Sequence, residues 1–142
     1  NKTGKHIANK FANNYYDQLS VGIDFTARDI QENLKKCQHP WEKSKAFDGS
    51  APIGEFVNKI EFDNIQDINF KLSINDEIRQ SGNTKNMLFP INKIISYIST
   101  YITLKKGDII FTGTPCGVGK VNTGDILKGY IEDRKLLELK VK

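Results

Sequence analysis

Val21-Gly-Ile-Asp-Phe-Thr-Ala-Arg-Asp-Ile-Gln31 changes character halfway along, and the change marks a passage from strand to helix. Val21–Phe25 is short and apolar, with β-branched Val21 and Ile23, and reads as a strand. Thr26-Ala-Arg-Asp29 has the Ser/Thr-x-x-acid form of a helix start, with Thr26 at the cap and Asp29 near the positive end of the dipole. Ala27, Ile30 and Leu34 then share one helical face, expected to pack on the core, while Arg28 and Gln31 share a different, polar face. Asp24 stands where the strand ends. A carboxylate there can ligate a hard cation while a guanidinium one turn further on holds a substrate carboxylate. The same residues also make a plain helix start, with Asp24 helping the cap and Arg28 pairing with Asp29 or Asp48 at the surface. Within this stretch alone both readings stand.

Downstream, His39-Pro-Trp41 ends the helical region, and Ala51–Val57 reads as strand and loop punctuated by Pro52. Phe70, Leu72 and Ile74 alternate, Asn75-Asp76 supplies a tight turn and Ile78 begins a return strand, so a β-hairpin is expected. Glu77-Ile-Arg79-Gln80 could face a ligand, but alternating polar residues usually mark the wet face of a sheet. Pro90 opens a helix on which Ile91, Ile94, Ile95, Ile98 and Ile102 fall at helical spacing. Lys106-Gly-Asp108 turns the chain into a strand at Ile109–Thr112, and further strands are expected near Asp125–Ile131 and Leu136–Val141. Upstream, Asn1–Gln18 reads as irregular chain with a short helix. The sum is α+β: β-rich with a few short helices, and without the regular alternation of a doubly wound sheet. No repeat or low-complexity linker divides residues 1–142, so they form one domain.

The loop Gly113-Thr-Pro-Cys-Gly-Val-Gly119 invites a nucleotide reading and fails it. A phosphate-cradling loop needs four residues between its glycines and then Lys-Ser/Thr opening a helix. Here five residues separate Gly113 from Gly119, and Lys120 leads into Val121 and more turn-formers. Exposed amides of the same loop could still receive a carboxylate, because glycine lets the backbone approach closely. Lys45, in Glu42-Lys-Ser-Lys-Ala-Phe-Asp-Gly49, is a solvated lysine unless it lies near other charges. His6 and His39 have no nucleophile or acid partner nearby in sequence.

With 142 residues, 38% hydrophobic and 27% charged, the chain has the composition of an ordinary globular domain. No apolar run approaches the roughly 20 residues that cross a bilayer, and the start Asn-Lys-Thr-Gly-Lys is no secretory signal, so a cytoplasmic protein without membrane partners is expected. The initiator Met is missing, as in a fragment or a chain whose leading segment was removed. The net charge of +4 is spread over scattered lysines without aromatic–basic interleaving, which argues against nucleic acid. Cys37 and Cys116 lie far apart, with no spaced His pair to complete a zinc site, and read as buried or idle thiols.

Four segments together resemble the fumarylacetoacetate hydrolase family. Gly22–Gln31 is similar to the family signature Asp-x-Ser/Thr-Ala-Arg-Asp-x-Gln. Trp41-Glu-Lys-Ser-Lys45-Ala-Phe-Asp-Gly-Ser-Ala-Pro-Ile53 resembles its Lys-Ser-Phe-type segment, and Asn75–Met87 its substrate-facing hairpin. Leu104–Gly119 is similar to its closing strand and Gly-Thr-Pro loop. Each match is weak alone; the four occur in family order across nearly the whole chain.

The resemblance implies a mixed β-roll or sandwich of the fumarylacetoacetase C-terminal type, a homodimer, and Mg²⁺ or Mn²⁺ in a site for a small-molecule 2-oxo acid. By that pattern Asp24 matches a metal ligand and Lys45 the catalytic lysine. Arg28 and Gln31 match substrate- or site-shaping positions, and Thr114, beside Gly113, a contact to the substrate carboxylate. Family reactions share an enolate. The expected one is C–C hydrolysis of a fumarylpyruvate-type acylpyruvate, with 2-hydroxyhepta-2,4-diene-1,7-dioate isomerisation or oxaloacetate decarboxylation as alternatives. Family members also place a Glu-x-Glu pair of metal ligands just upstream of the Gly-Lys matching Gly4-Lys5, and some a His/Glu pair on a lid further upstream. The 142 residues contain neither, so the domain is expected to be N-terminally incomplete. A truncated, non-catalytic binding or dimerisation module is the competing class.

Overall fold

A computed structural model describes all 142 residues. Its largest unit is a four-stranded antiparallel sheet built from β3 (Asn69–Ile74), β4 (Glu77–Asn83), β5 (Ile126–Ile131) and β6 (Arg134–Lys140), in the order β4-β3-β5-β6. A second antiparallel pair joins β1 (Gln18–Leu19) to β2 (Val57–Asn58). Three α-helices, α1 (Arg28–Lys36), α2 (Glu42–Lys45) and α3 (Ile91–Tyr101), and three short 3-10 turns complete the chain. The architecture is the expected α+β, β-rich with short helices. No helix is long and apolar enough to cross a membrane.

The β3–β4 hairpin follows from its turn. Asn75 and Asp76 both take positive φ, 51° and 69°, the left-handed pair that matches the twist of the flanking strands. Asn75 also accepts the Ile126 N–H (2.9 Å) and donates to Asp125 Oδ1 (2.9 Å), pinning the turn to β5. The ladder carries one irregularity. Leu72 faces Gln80 but Ser73 faces Ile78, so Arg79 is an extra residue in β4. A second bulge, at Leu136 in β6, turns the Leu136 carbonyl toward the Glu55 N–H (2.8 Å) and ties the chain before β2 to the large sheet.

Two small cores hold the elements. Ile7, Ala12, Ile91, Ile95 and Leu104 form one beneath α3, and Ile98 and Ile110 pack on it. Val57, Ile68, Ile131 and Leu136 form the other against the sheet, with Leu19 and Val21 alongside, and Ile65 touches both. Ile91, Ile94, Ile95 and Ile98 lie on α3 as expected, but Ile102 falls past its end, extended and exposed, and Pro90 is the residue before the helix rather than its first turn.

Five local expectations are corrected. Val21–Phe25 is extended but not a regular strand: the Ile23 and Phe25 amides bond Pro52 and Ser50, the Gly54 amide bonds Val21, and only Gly22 and Ile53 form a bridge. Thr26 does not cap α1, which starts at Arg28 after Ala27; no side chain caps it. Ile30 is exposed rather than on the core, and it is Gln31 that is buried. Ile109–Thr112 is no strand, since none of its backbone groups meets another backbone; apolar alternation creates the propensity, but a strand needs a neighbour. Helical structure also resumes after Trp41, in α2.

Candidate functional site

Two backbone runs place the central pair. Val21–Phe25 lies against Ser50–Gly54, which fixes Asp24 at the end of an extended segment. One turn of helix, α2, carries Lys45 and is locked by its buried Ser44. The Ser44 hydroxyl donates to the Trp41 carbonyl (2.7 Å), and the Ser44 carbonyl accepts the Ala27 N–H (3.0 Å). The start of α1 and the turn bearing Lys45 are therefore held together through the backbone, beside Asp24.

The result is a compact polar triad. Lys45 Nζ donates to Asp24 Oδ2 at 2.7 Å and to Thr26 Oγ1 at 2.7 Å. An ammonium has three N–H groups, so one is left for a ligand. The pair stays accessible, with side-chain exposures of 36% for Lys45 and 51% for Asp24. Thr26, read from sequence as a cap, instead steers the lysine. Its position in a Ser/Thr-Ala-Arg pattern was the available signal.

Arg28 and Gln31 form a second group, one turn apart on α1. Arg28 donates through an Nη nitrogen to Gln31 Oε1 at 2.7 Å, and Gln31 is 5% exposed. The buried amide anchors the guanidinium, whose remaining N–H groups can bind a carboxylate in bidentate fashion. Helix α1 ends cleanly beyond them. Gln38 adopts φ 55°, the Gln38 N–H bonds the Lys35 carbonyl and the His39 N–H bonds the Leu34 carbonyl, a Schellman closure without glycine.

Gly113 and Thr114 open the third group. Gly113 takes φ 119° and Gly117 φ 98°, values that favour glycine, so the loop can fold flat over β4. The Thr114 hydroxyl accepts a hydrogen bond from Gln80 Nε2 at 2.9 Å, a partner the alternation of β4 had argued against. The loop reaches the Asp24 region through packing. Phe111 lies so close over Gly22 that a Cβ there would meet its ring at 2.7 Å.

The structure thus joins Lys45, Asp24 and Thr26 directly, Arg28 to Gln31, and Thr114 to Gln80, with no hydrogen bond between the three groups. A shallow depression of about 480 Å³ opens beside Lys45, lined also by His39, Pro40, Trp41 and Glu42. The Lys35 ammonium covers the Trp41 ring at 4.7 Å. Both cysteines are exposed and unpaired, so the buried alternative for them is set aside.

The donor set fits one corner of a divalent-cation site. Asp24 Oδ1 makes no hydrogen bond in the chain and is free to ligate a hard cation. No three residues among His, Cys, Asp and Glu gather anywhere to complete a shell.

The family model described as fumarylacetoacetate (FAA) hydrolase C-terminal matches residues 1–142. The chain belongs to the fumarylacetoacetate hydrolase family. Members of this family are hydrolases, isomerases and tautomerases. A mitochondrial oxaloacetate tautomerase of Mus musculus is 40% identical over 141 residues, which are 99% of this chain and 64% of the relative. A crystal structure of a fumarylacetoacetate hydrolase family protein from Yersinia pestis superposes with a TM-score of 0.94 at 40% identity, over 99% of this chain and 64% of that one. Fumarylpyruvate hydrolase from Pseudomonas aeruginosa, solved with Mn²⁺ and pyruvate, gives 0.92 at 34% identity, over 99% and 60%. The chain spans less than two thirds of the length of each of these relatives.

Proposed function

We propose that this chain carries the reacting centre of a divalent-metal-dependent enzyme that turns over a small 2-oxo acid through its enolate. C–C hydrolysis of an acylpyruvate is the reaction favoured. The observation that carries the reading is the Lys45 ammonium, held on Asp24 and Thr26 with one N–H uncommitted beside an open depression.

Asp24 would provide one ligand to Mg²⁺ or Mn²⁺; the other oxygens would come from water, substrate and carboxylates outside these residues. The bound cation would act as a Lewis acid toward the 2-oxo group. Every other role falls to the chain. Lys45 directs a fixed positive charge at the oxygen where the enolate charge develops, and Thr26 and Asp24 keep the ammonium from rotating away. Arg28, anchored by Gln31, and Thr114, in the Gly113 loop, offer donors to substrate carboxylate. The depression along Trp41 and Pro40 is shallow and open, and an acyl tail would lie along it at the surface. The Mn²⁺ and pyruvate held by the Pseudomonas hydrolase are the ion and product type this scheme calls for. The homodimer implied by the family resemblance is part of the proposal, and sedimentation tests it.

A second reading is oxaloacetate tautomerisation, favoured by the name of the 40% identical mouse relative. Keto–enol exchange uses the same enolate, moving a proton between carbon and oxygen without C–C cleavage. The deciding experiment assays acylpyruvate, oxaloacetate and 2-hydroxyhepta-2,4-diene-1,7-dioate with Mg²⁺ or Mn²⁺, in the full-length protein that includes those outside carboxylates and in its Lys45→Ala and Asp24→Asn variants. Lys45→Ala is expected to lower kcat by roughly 10²–10³-fold, as loss of an oxyanion donor does. Full metal-dependent activity in Lys45→Ala on every substrate would refute the scheme.

A further inference from the structure

We infer that Gln80 is a positioning residue that turns the Thr114 hydroxyl into a hydrogen-bond donor for an anionic ligand group, a substrate carboxylate. The inference rests on the proposed role of Thr114 and gives a role to Gln80, a residue of the Asn75–Met87 hairpin to which the resemblance assigned none.

The orientation of the Gln80 amide is set by its neighbours. Its Nε2 lies 2.9 Å from Thr114 Oγ1, 3.0 Å from the Pro115 carbonyl oxygen and 3.5 Å from the Cys116 carbonyl oxygen. Two of these three partners are carbonyls, which can only accept, so the NH₂ and not the oxygen of the amide must face the loop. One of its hydrogens then goes to Thr114 and the other to the Pro115 and Cys116 carbonyls. A hydroxyl that accepts from an amide keeps its own hydrogen for another partner. The complementary group is an acceptor without hydrogens of its own, as an ionised carboxylate is.

The register explains how a β4 side chain reaches the loop. Ile78 and Gln80 are two residues apart and would share a face in an unbroken strand. The extra residue Arg79 shifts the ladder, so Ile78 pairs with Ser73 and Gln80 with Leu72, on opposite faces. Gln80 then lies on the same face as Gly82, where Pro115 packs: a Cβ on Gly82 would meet Pro115 at 3.1 Å. Arg79 completes the seat. A Cβ on Gly117 would overlap the Arg79 carbonyl oxygen, and one on Gly119 would overlap its guanidinium. The bulge thus places β4 under the whole Thr114–Gly119 loop, and Gln80 is the member that bonds the hydroxyl.

The test is a double-mutant cycle in the full-length protein, which includes the carboxylates outside these residues, with Mn²⁺ present, using pyruvate as the carboxylate probe and the turnover substrate for KM and kcat. Gln80→Met keeps the length and removes the donor; Gln80→Asn keeps the amide but falls short of the loop. Each is expected to weaken pyruvate binding and raise KM by about 3–10-fold, within the range of one lost hydrogen bond between neutral groups, with a smaller change in kcat. In a Thr114→Val background the same Gln80 changes are expected to have less than about a twofold effect, because the hydroxyl they orient is gone. A Gln80 factor that persists undiminished beside Thr114→Val would show a role in loop stability alone and overturn the inference. Unchanged binding in both Gln80 variants would do so too, and would leave the role of Thr114 intact if Thr114→Val by itself weakens pyruvate. Should Thr114→Val bind pyruvate normally, the Thr114 assignment falls and the inference falls with it.

Discussion

At the residue scale the site is built from polar side chains that each fix the direction of a neighbour. Gln31 shows it most clearly. It is the buried polar residue of α1, and its Oε1 accepts the Arg28 guanidinium at 2.7 Å, so a long, exposed cation inherits the rigidity of a packed amide. Gln31→Ala is expected to destabilise the fold by about 1–3 kcal/mol, the usual loss for a buried hydrogen bond to a charged group together with the space it leaves. It should also weaken pyruvate binding, because Arg28 then samples many rotamers. Gln31→Glu keeps the acceptor and should retain more affinity than Gln31→Ala. Urea midpoints measure the first effect and pyruvate titration the second. Affinity unchanged by Gln31→Ala but reduced by Arg28→Ala would mean that Arg28 needs no anchor. Thr26 and Gln80 follow the same principle, each setting a neighbour that carries the charge or the proton.

At the element scale the molecule joins its parts by close backbone approach. The sharpest instance is Gly22 under Phe111, where the extended run bearing Asp24 meets the run leading into Gly113 and Thr114. A methyl at Gly22 would sit 2.7 Å from the Phe111 ring and 3.3 Å from the Pro52 carbonyl oxygen, with strand-like neighbours on either side. Gly22→Ala is therefore expected to destabilise the chain by about 1–3 kcal/mol, as overpacking does, and to displace the loop relative to Asp24. Thermal unfolding and pyruvate affinity should both fall; an unaltered affinity would mean that Phe111 is not the link between the two halves of the site. These elements differ in how far the sequence shows them. The β3–β4 hairpin was readable because strict alternation meets a turn pair tolerant of positive φ, and α3 because four isoleucines repeat at helical spacing. Helix α2 was not, since a single turn has no period to detect and follows Pro40-Trp41. The bulge at Arg79 was not either. An extra residue leaves no mark in the sequence of its own strand, which is why Gln80 read as one of a row of wet-face residues. Asp24 and Lys45 were found together only through the family pattern, because their contact spans 21 residues and no local rule predicts it.

For the molecule as a whole, the charged ties are distributed unevenly, and that sets its response to acid. Three carboxyls are held below their ordinary range. Glu61 is held there first by its hydrogen bond from Arg134 of β6 and then by the Asn58 amide. Asp125 is held there by the Asn122 amide and the Asn75 side chain, and Glu138 by Lys135. All three lie on or against the four-stranded sheet, whereas the core beneath α3 is closed by apolar side chains and the buried Ser99 hydroxyl. A carboxyl whose folded pKa is depressed contributes stability that is fully present above its ordinary value, here 4.5 for the glutamates and 3.8 for the aspartate. That contribution is lost as pH falls through the lowered folded values. Stability is therefore expected to be flat with respect to these groups above about pH 5 and to decline below about pH 4. All three carboxylates are exposed, so each contributes little and salt should flatten the decline. The first protection lost in acid should be at the Asn75–Asp76 turn and in β5, where Asp125 secures the hairpin, before the amides of α3 exchange. Because that hairpin carries Gln80, carboxylate binding should weaken within the same pH interval. Amide exchange followed by NMR from pH 6 to pH 3 would show this order, and Asp125→Asn should reduce the acid dependence of the turn while leaving α3 unchanged. Simultaneous loss of protection in both regions would mean that the two cores unfold as one cooperative unit through their shared Ile65.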